Sequence, residues 1–386
     1  MDDMLRRSLG RRDMLRRSLI GAGAATFALS GTGRRIASTL AQEATPTAQF
    51  DAAACYQSFP GATMVQYDAV GSGPFNIALS NSFIGNVWRT QMIKMSKAYV
   101  QLPEIAPLIG EYTITSSGED ASAQIAAMEN MASAGAQAII VNAISPTALS
   151  PTVQRLRADG IVVVAYDNVV EAPDIVYVNE DQVLMGQKWA EWLVEQIGGR
   201  GKVLMVNGLA GTSVDTDRIN GGKSVFSKYP NIQLVEVVGR WDPGTAQQVT
   251  ATALSTNPDI AGVWCQGGTD GVVRAFIDAQ VPLVPVAGEA ENGFRKQMLE
   301  LKDQFQGYSI GQSPGLVCVA MRVALDLLQG KEVPSAIAVP LPEAKTADLV
   351  PGVNVFPDLP DNFFTPIDIP ACGVDLTVEQ VEAQQV

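Results

Sequence analysis

From Phe75 to Gln329 short apolar runs alternate with stretches of helical length, and the runs are continuous rather than apolar at every second position. Phe75–Ser80, Tyr112–Thr115, Ala138–Asn142 and Ile161–Tyr166 read as strands, with helices expected over about 87–100, 120–134 and 146–159. The pattern then restarts. Strands are expected at Lys202–Asn207, Gln233–Val238, Gly262–Gln266, Val284–Ala287 and Tyr308–Gly311, with helices near 181–196, 214–229, 244–256, 269–279, 293–299 and 313–329. A strand apolar along its whole length is covered on both faces, which is the condition of a parallel strand flanked by crossover helices. The expected fold class is therefore α/β, with two Rossmann-like doubly wound parallel-sheet domains changing over near Val178–Asp181. A length of 386 residues suits two such domains.

The segment before this body has a different character. Met1–Arg17 is basic, and Leu19–Leu29 is apolar and rich in Gly and Ala but too short to cross a bilayer. A basic region, a short apolar region and then small residues is the layout of an export signal. Arg11-Arg12-Asp13-Met14-Leu15 is similar to the twin-arginine pattern, with an ordinary secretory signal or an uncleaved anchor as alternatives. Residues 1–48 are read as that signal and 49–73 as an N-terminal spacer. The protein is then periplasmic or otherwise extracytoplasmic, and membrane-tethered if the signal is not cleaved.

Charge and missing residue types narrow the function. The leader holds 8 of the 27 basic and 4 of the 40 acidic residues, leaving 19 against 36, a net −17. Such an acidic surface repels phosphate backbones, so no nucleic-acid partner is expected. There is no histidine, which excludes a Ser-His-Asp triad and any His-bearing metal site. Gly311-Gln312-Ser313-Pro314-Gly315 matches the G-x-S-x-G elbow, but without histidine the match is a coincidence. Four cysteines occur with no C-x-x-C pair. Cys55 and Cys372 flank the body and are expected to staple its two tails. Other pairings and buried free thiols are the alternatives.

In open parallel sheets, ligands bind beyond the carboxyl ends of the strands. The residues there include Asn81, Ser82, Asn142, Asp167, Asn168, Trp241, Gln266 and Gln312, a set rich in amides. Amides offer donors and acceptors in fixed planes, which suits hydroxyl groups. Trp88 and Trp241 supply flat faces for the C–H side of a sugar ring, and Arg89 and Arg218 supply rigid multi-donor forks. Each has a plainer alternative. The tryptophans are also candidate core residues, Asp167 a turn cap, and Arg218 a partner for Asp215 on its own helix. Recurrence of such residues at successive strand ends points to an uncharged polyhydroxylated ligand between two domains.

From about Phe75 to Val339 the chain resembles the periplasmic sugar-binding proteins of the ribose-binding type, the solute-binding components of sugar ABC transporters. The resemblance rests on Asn81-Ser-Phe-Ile-Gly-Asn86-Val-Trp88-Arg89, Val163-Val-Ala-Tyr-Asp167-Asn168, Gly208-Leu-Ala-Gly-Thr-Ser213 with Arg218, Asn257–Gln266 and Gly311-Gln312, in that order and spacing. It implies that Asn86, Asp167 and Gln312 bond sugar hydroxyls, that Trp88 and Trp241 stack on the two ring faces, and that Arg218 donates at the ring edge. Arg89 stands where the ribose binder has an aromatic residue, and Asn168 where it has Arg. Gly267-Gly268 replaces an Asn-Asp, and Ala290 replaces a ligand-binding Asp, with Glu289 or Glu291 as substitutes. The resemblance further implies three crossings between lobes, near Val178–Asp181, Gln312 and Leu341. It places 74–179 with 313–340 in one lobe, and 180–312 with part of 341–386 in the other. The expected function is capture of a monosaccharide or polyol by a monomer that docks on an ABC permease, with no cofactor, no metal and no chemical change. Pentose, hexose, furanose and polyol stay open. So does a sensor presenting its closed form to a chemoreceptor or kinase, with a sugar-modifying enzyme as the remote alternative.

Overall fold

The computed structural model describes residues 50–386, and the export signal read over residues 1–48 lies outside them. In chain order the first lobe contains α1 (Ala52–Cys55), β1 (Met64–Val65), β2 (Phe75–Asn81), α2 (Val87–Tyr99), β3 (Ile109–Ser116), α3 (Ala121–Ser133), β4 (Ala138–Asn142), α4 (Ser150–Ala158), β5 (Val162–Tyr166) and β6 (Val176–Asn179). The second contains α5 (Gln182–Ile197), β7 (Gly201–Asn207), α6 (Ser213–Phe226), β8 (Ile232–Val238), α7 (Pro243–Thr256), β9 (Ile260–Cys265), α8 (Thr269–Asp278), β10 (Val286–Glu289), α9 (Asn292–Glu300) and β11 (Gly307–Ile310). The chain then returns to the first lobe with α10 (Leu316–Leu328), β12 (Val333–Pro334) and β13 (Ala336–Ala338). It crosses again to β14 (Glu343–Lys345), and α11 (Val378–Glu382) lies near its end.

The two six-stranded sheets run β13-β6-β5-β4-β2-β3 and β14-β11-β10-β9-β7-β8. Every pairing in the first is parallel, and in the second only β14 is antiparallel. The doubly wound α/β class read from the sequence is the fold observed. Burial follows position in the sheet. All five residues of β4 and of β5 are buried, whereas the edge strands β3 and β8 alternate in exposure along their length. Interior strands are covered on both faces and edge strands are not, which accounts for the continuous runs.

Several elements differ from expectation. β6, β13 and β14 are strands that the reading above does not include, of three or four residues each. The helix expected from Pro146 begins at Ser150, after a turn. The strand expected at Val284–Ala287 starts at Val286, one residue past Pro285, which has no N–H for the ladder. The segment 49–73 is not a free spacer within its described part. Asp51 caps α1, Cys55 is disulfide-bonded to Cys372, and β1 pairs antiparallel with β12. Backbone pairing and a covalent bond hold this stretch, and neither leaves a periodic pattern. Cys265 and Cys318 are buried free thiols.

The chain passes between sheets after β6, after β11 and after β13. The tail adds a fourth passage. Leu349 and Val355 pack in a core of the second lobe, while Phe363, Ile367, Ile369, Val374, Leu376 and Val381 pack in that of the first.

Candidate functional site

The site lies where strand ends of the two sheets face each other. β5 ends at Tyr166, and Asp167 turns the chain at φ 56°, a left-handed conformation that Asp tolerates better than most residues. The turn buries its carboxylate. Asp167 accepts hydrogen bonds from Asn142 (2.9 Å), Asn168 (2.8 Å) and Gln312 (2.7 Å), and Arg89 lies 3.4 Å away. Arg89 is fully buried on α2, just inside the cap formed by Asn86, whose side chain accepts from the Arg89 N–H at 2.9 Å. Its Nη1 donates to Asn81 at 2.7 Å and to Ser82 at 3.3 Å. Burial lowers the pKa of this guanidinium, and the Asp167 charge opposes that shift. The guanidinium also lies over the rings of Phe83 and Trp88, at 5.1 and 5.7 Å.

The second lobe presents a matching pair. Arg218 on α6 is buried and lies 2.7 Å from Glu289 at the end of β10. It donates to the Gln182 side chain (2.8 Å), to the Gln266 carbonyl (2.9 Å) and to the Gln312 side chain (2.8 Å). Its ion pair is with Glu289 rather than with Asp215, whose carboxylate accepts from Gly208 and Gln266. Gln312 therefore bridges the lobes, accepting from Arg218 and donating to Asp167. Burial raises the Glu289 pKa against the opposing pull of Arg218. Glu291 accepts from the Gly268 and Thr269 N–H groups at the start of α8, at 2.5 and 2.7 Å. Burial first, and then the Asp270 charge, push its pKa up to about 8.

Trp241 closes one wall. Arg240 and Trp241 are both left-handed, at φ 58° and 57°, a strained state that bulky residues rarely adopt without support. Two glycines supply that support. A Cβ on Gly208 would lie 2.2 Å from the indole, and one on Gly267 would lie 3.1 Å from it. The ring thus lies on a glycine cradle, which gives the Gly267-Gly268 pair a physical role. Its N–H donates to Gln266 at 3.3 Å, and its face is stacked on Phe83 of the first lobe, with centroids 6.4 Å apart.

Between these groups lies a slot of about 360 Å³ empty volume, in which the centre of a water molecule ranges over only about 30 Å³. Of the sequence candidates, Asn86, Trp88, Arg89, Asp167, Asn168, Arg218, Trp241, Gln266, Glu289, Glu291 and Gln312 line it. Asn81, Ser82 and Asn142 do not. They sit one layer behind, because Arg89 and Asp167 occupy the space in front and take their hydrogen bonds. Trp88 lines the slot edge-on to the hinge, donating its N–H to the Gln312 carbonyl at 3.0 Å. Val214 and Phe364 also line it and carried no strand-end signal. Phe364 comes from the tail, which has no periodicity to read.

Charge is balanced within the slot. Arg89 faces Asp167, Arg218 faces Glu289, and burial pushes Glu291 toward its neutral form. Polar capacity is left over. A guanidinium has five N–H donors. Nε and one Nη2 hydrogen of Arg89, and one Nη2 hydrogen of Arg218, find no acceptor among the described residues.

Residues 77–332 match the periplasmic binding protein domain. The chain belongs to this family. As a periplasmic binding protein it is 27% identical over 229 residues to the xylitol-binding protein of Mycolicibacterium smegmatis, a match covering 58% of this chain and 65% of that one. It is 25% identical over 232 residues to the ribose import binding protein of Bacillus subtilis, covering 59% of this chain and 75% of that one. Its fold is similar to the crystal structure of an ABC transporter solute binding protein from Thermobispora bispora. There the TM-score is 0.64 at 30% identity, covering 69% of this chain and 84% of that one.

Proposed function

We propose that this periplasmic binding protein captures an uncharged polyhydroxylated solute, a monosaccharide or polyol, between its lobes and delivers it outside the cytoplasm to the permease of an ABC importer. The observation that carries the reading is the electroneutral slot. Two buried ion pairs match their own charges and burial pushes Glu291 toward its neutral form, so little charge is left to recruit an ion, while spare guanidinium donors and amides await hydroxyl groups. The Trp241 indole lines the slot and offers apolar ring atoms to the C–H groups of such a ligand. The names of the xylitol-binding and ribose-binding relatives support the same class.

The ligand leaves unchanged. Each carboxylate oxygen facing the slot is already engaged: those of Asp167 by amides and Arg89, those of Glu289 by Arg218 and the Gln312 N–H, those of Glu291 by two backbone N–H groups. A general acid or base needs an oxygen within reach of the reacting group. Binding proceeds by rotation of the lobes about their crossing segments. The solute contacts one lobe first and stabilises the closed form by its contacts with both.

A thermal-shift screen of neutral monosaccharides and polyols, with amino acids and short peptides as controls, tests the reading. A solute that binds only the native state adds about 2.7 kcal/mol of stability at a hundredfold excess over Kd. A rise in Tm with a polyol supports it. A rise with an amino acid or peptide and none with any polyol would overturn it.

A further inference from the structure

We propose that the C-terminal segment supplies a wall of the binding slot, with Phe364 as the residue that sets how long a ligand the slot accepts. The inference rests on the sugar or polyol reading of the same site. Phe364 reaches the slot because both lobes hold its backbone. The Gln91 side chain on α2 donates to the Phe364 carbonyl at 2.9 Å and accepts from its N–H at 2.8 Å. On the other side Phe364 bridges antiparallel to Glu291, with the Asn292 N–H donating to Phe363 at 2.8 Å and the Thr365 N–H to Ala290 at 3.1 Å. Upstream, Asn292 donates to the carbonyls of Phe356, Leu359 and Pro360. Downstream, Cys372 is tied to Cys55. A backbone fixed at so many points makes this segment a rigid wall rather than a loose tail.

The ring stands between two spaces. On one side is the slot. On the other is a recess of about 230 Å³ empty volume, lined by Val87, Pro243, Asp270, Asp361 and Asn362, and sharing Trp241, Glu291 and Phe364 with the slot. Phe364, together with Trp241 and Glu291, separates that recess from the slot. Shortening the side chain joins the two spaces. The slot then accepts a substituent where the ring was, and loses apolar contact with a compact ligand.

The test is a selectivity ratio measured by calorimetry on the full chain. The probes are D-ribose, D-allose and xylitol, and the phenyl glycosides of the two sugars. Phe364→Ala is expected to weaken the free sugar by roughly tenfold and to strengthen the phenyl glycoside, shifting the ratio of the two Kd values by about a hundredfold. Phe364→Leu keeps the backbone bridges and an apolar side chain, gives a smaller shift in the same direction, and carries the test if the alanine variant does not fold. A merely structural role would weaken both probes alike and leave the ratio unchanged, and that result would overturn the proposal while leaving the sugar reading intact. A wild-type chain that binds no monosaccharide or polyol in the thermal-shift screen would overturn the sugar reading and this inference with it.

Discussion

Gly208→Ala tests whether Trp241 is part of the binding surface, because it moves the ring without replacing any side chain that lines the slot. The new methyl carbon would stand 2.2 Å from indole atoms. Carbon contacts settle near 3.5 Å, so the ring must shift by roughly 1.3 Å. It cannot retreat sideways, because Gly267 already lies close against it. The direction left is toward Phe83 of the first lobe, whose ring centroid stands 6.4 Å away. A displacement of that size in a site built for one geometry costs about a hundredfold at the upper end, so affinity is expected to fall by about 10- to 100-fold. Overpacking also costs the fold about 1–3 kcal/mol. The assay is a titration calorimetry cycle of wild type, Gly208→Ala, Trp241→Ala and the double variant. In the Trp241→Ala background the methyl group has nothing to strike, so Gly208→Ala is expected to be nearly silent there. Binding of Gly208→Ala within twofold of wild type, or an equal loss in both backgrounds, would refute the reasoning.

Other consequences follow from buried charges and the tail. Folded Glu291 keeps its proton up to about pH 8, while in the unfolded chain it ionises near its ordinary value of 4.5. Stability is therefore lost as pH rises between those values, on the order of a few kcal/mol, and Glu291→Gln is expected to flatten that slope in urea unfolding from pH 5 to 8. A slope unchanged by the substitution would contradict the assignment. Arg218→Ala leaves Glu289 buried without its partner, and denaturant unfolding is expected to show a loss of about 3–5 kcal/mol, recovered in part by Arg218→Ala with Glu289→Ala. Cys55→Ser with Cys372→Ser is expected to lower stability by about 2–4 kcal/mol and to expose the tail to protease before the body, as read by limited proteolysis.

What the sequence showed plainly was what burial dictates. The five fully buried residues of β4 and of β5 are continuous apolar runs, and those runs announced the sheets. Strand-end polar residues announced the slot, since the fold puts strand ends together. The pairings within the slot were not legible. Whether Arg218 meets Asp215 or Glu289 depends on how α6 packs against the end of β10, far away in sequence, and helical spacing offers only the local partner. Asn81 and Asn142 stand at strand ends like the lining residues, yet Arg89 and Asp167 stand in front of them, so they only support those side chains. The tail was opaque. Phe364 is placed by backbone bridges to Ala290, Glu291 and Asn292 and by one glutamine side chain, contacts that any residue type can make.

The protein's own groups make contacts across the closed cleft, and these set what a ligand has to contribute. Asn168 accepts from the Val214 N–H, Ser213 accepts from the Val169 N–H, and Gln312 links Arg218 to Asp167. Glu119 and Arg240 form an ion pair across the mouth, each side chain about half exposed. A ligand shifts the balance of open and closed forms only by its preference for one of them, so any change in that balance appears in the apparent Kd. Glu119→Lys places two positive charges across the mouth without altering a lining residue. An exposed pair is worth up to about 1 kcal/mol, so replacing it by a repulsion is expected to raise Kd about five- to tenfold at low salt. Ions screen charges in the open mouth but not contacts inside a dry slot, so the penalty is expected to shrink as salt approaches 1 M. Small-angle scattering of the unliganded variant should show a larger radius of gyration over the same range. An affinity equal to wild type at low salt would mean that closure does not depend on the mouth, and a penalty indifferent to salt would place the effect in the slot itself.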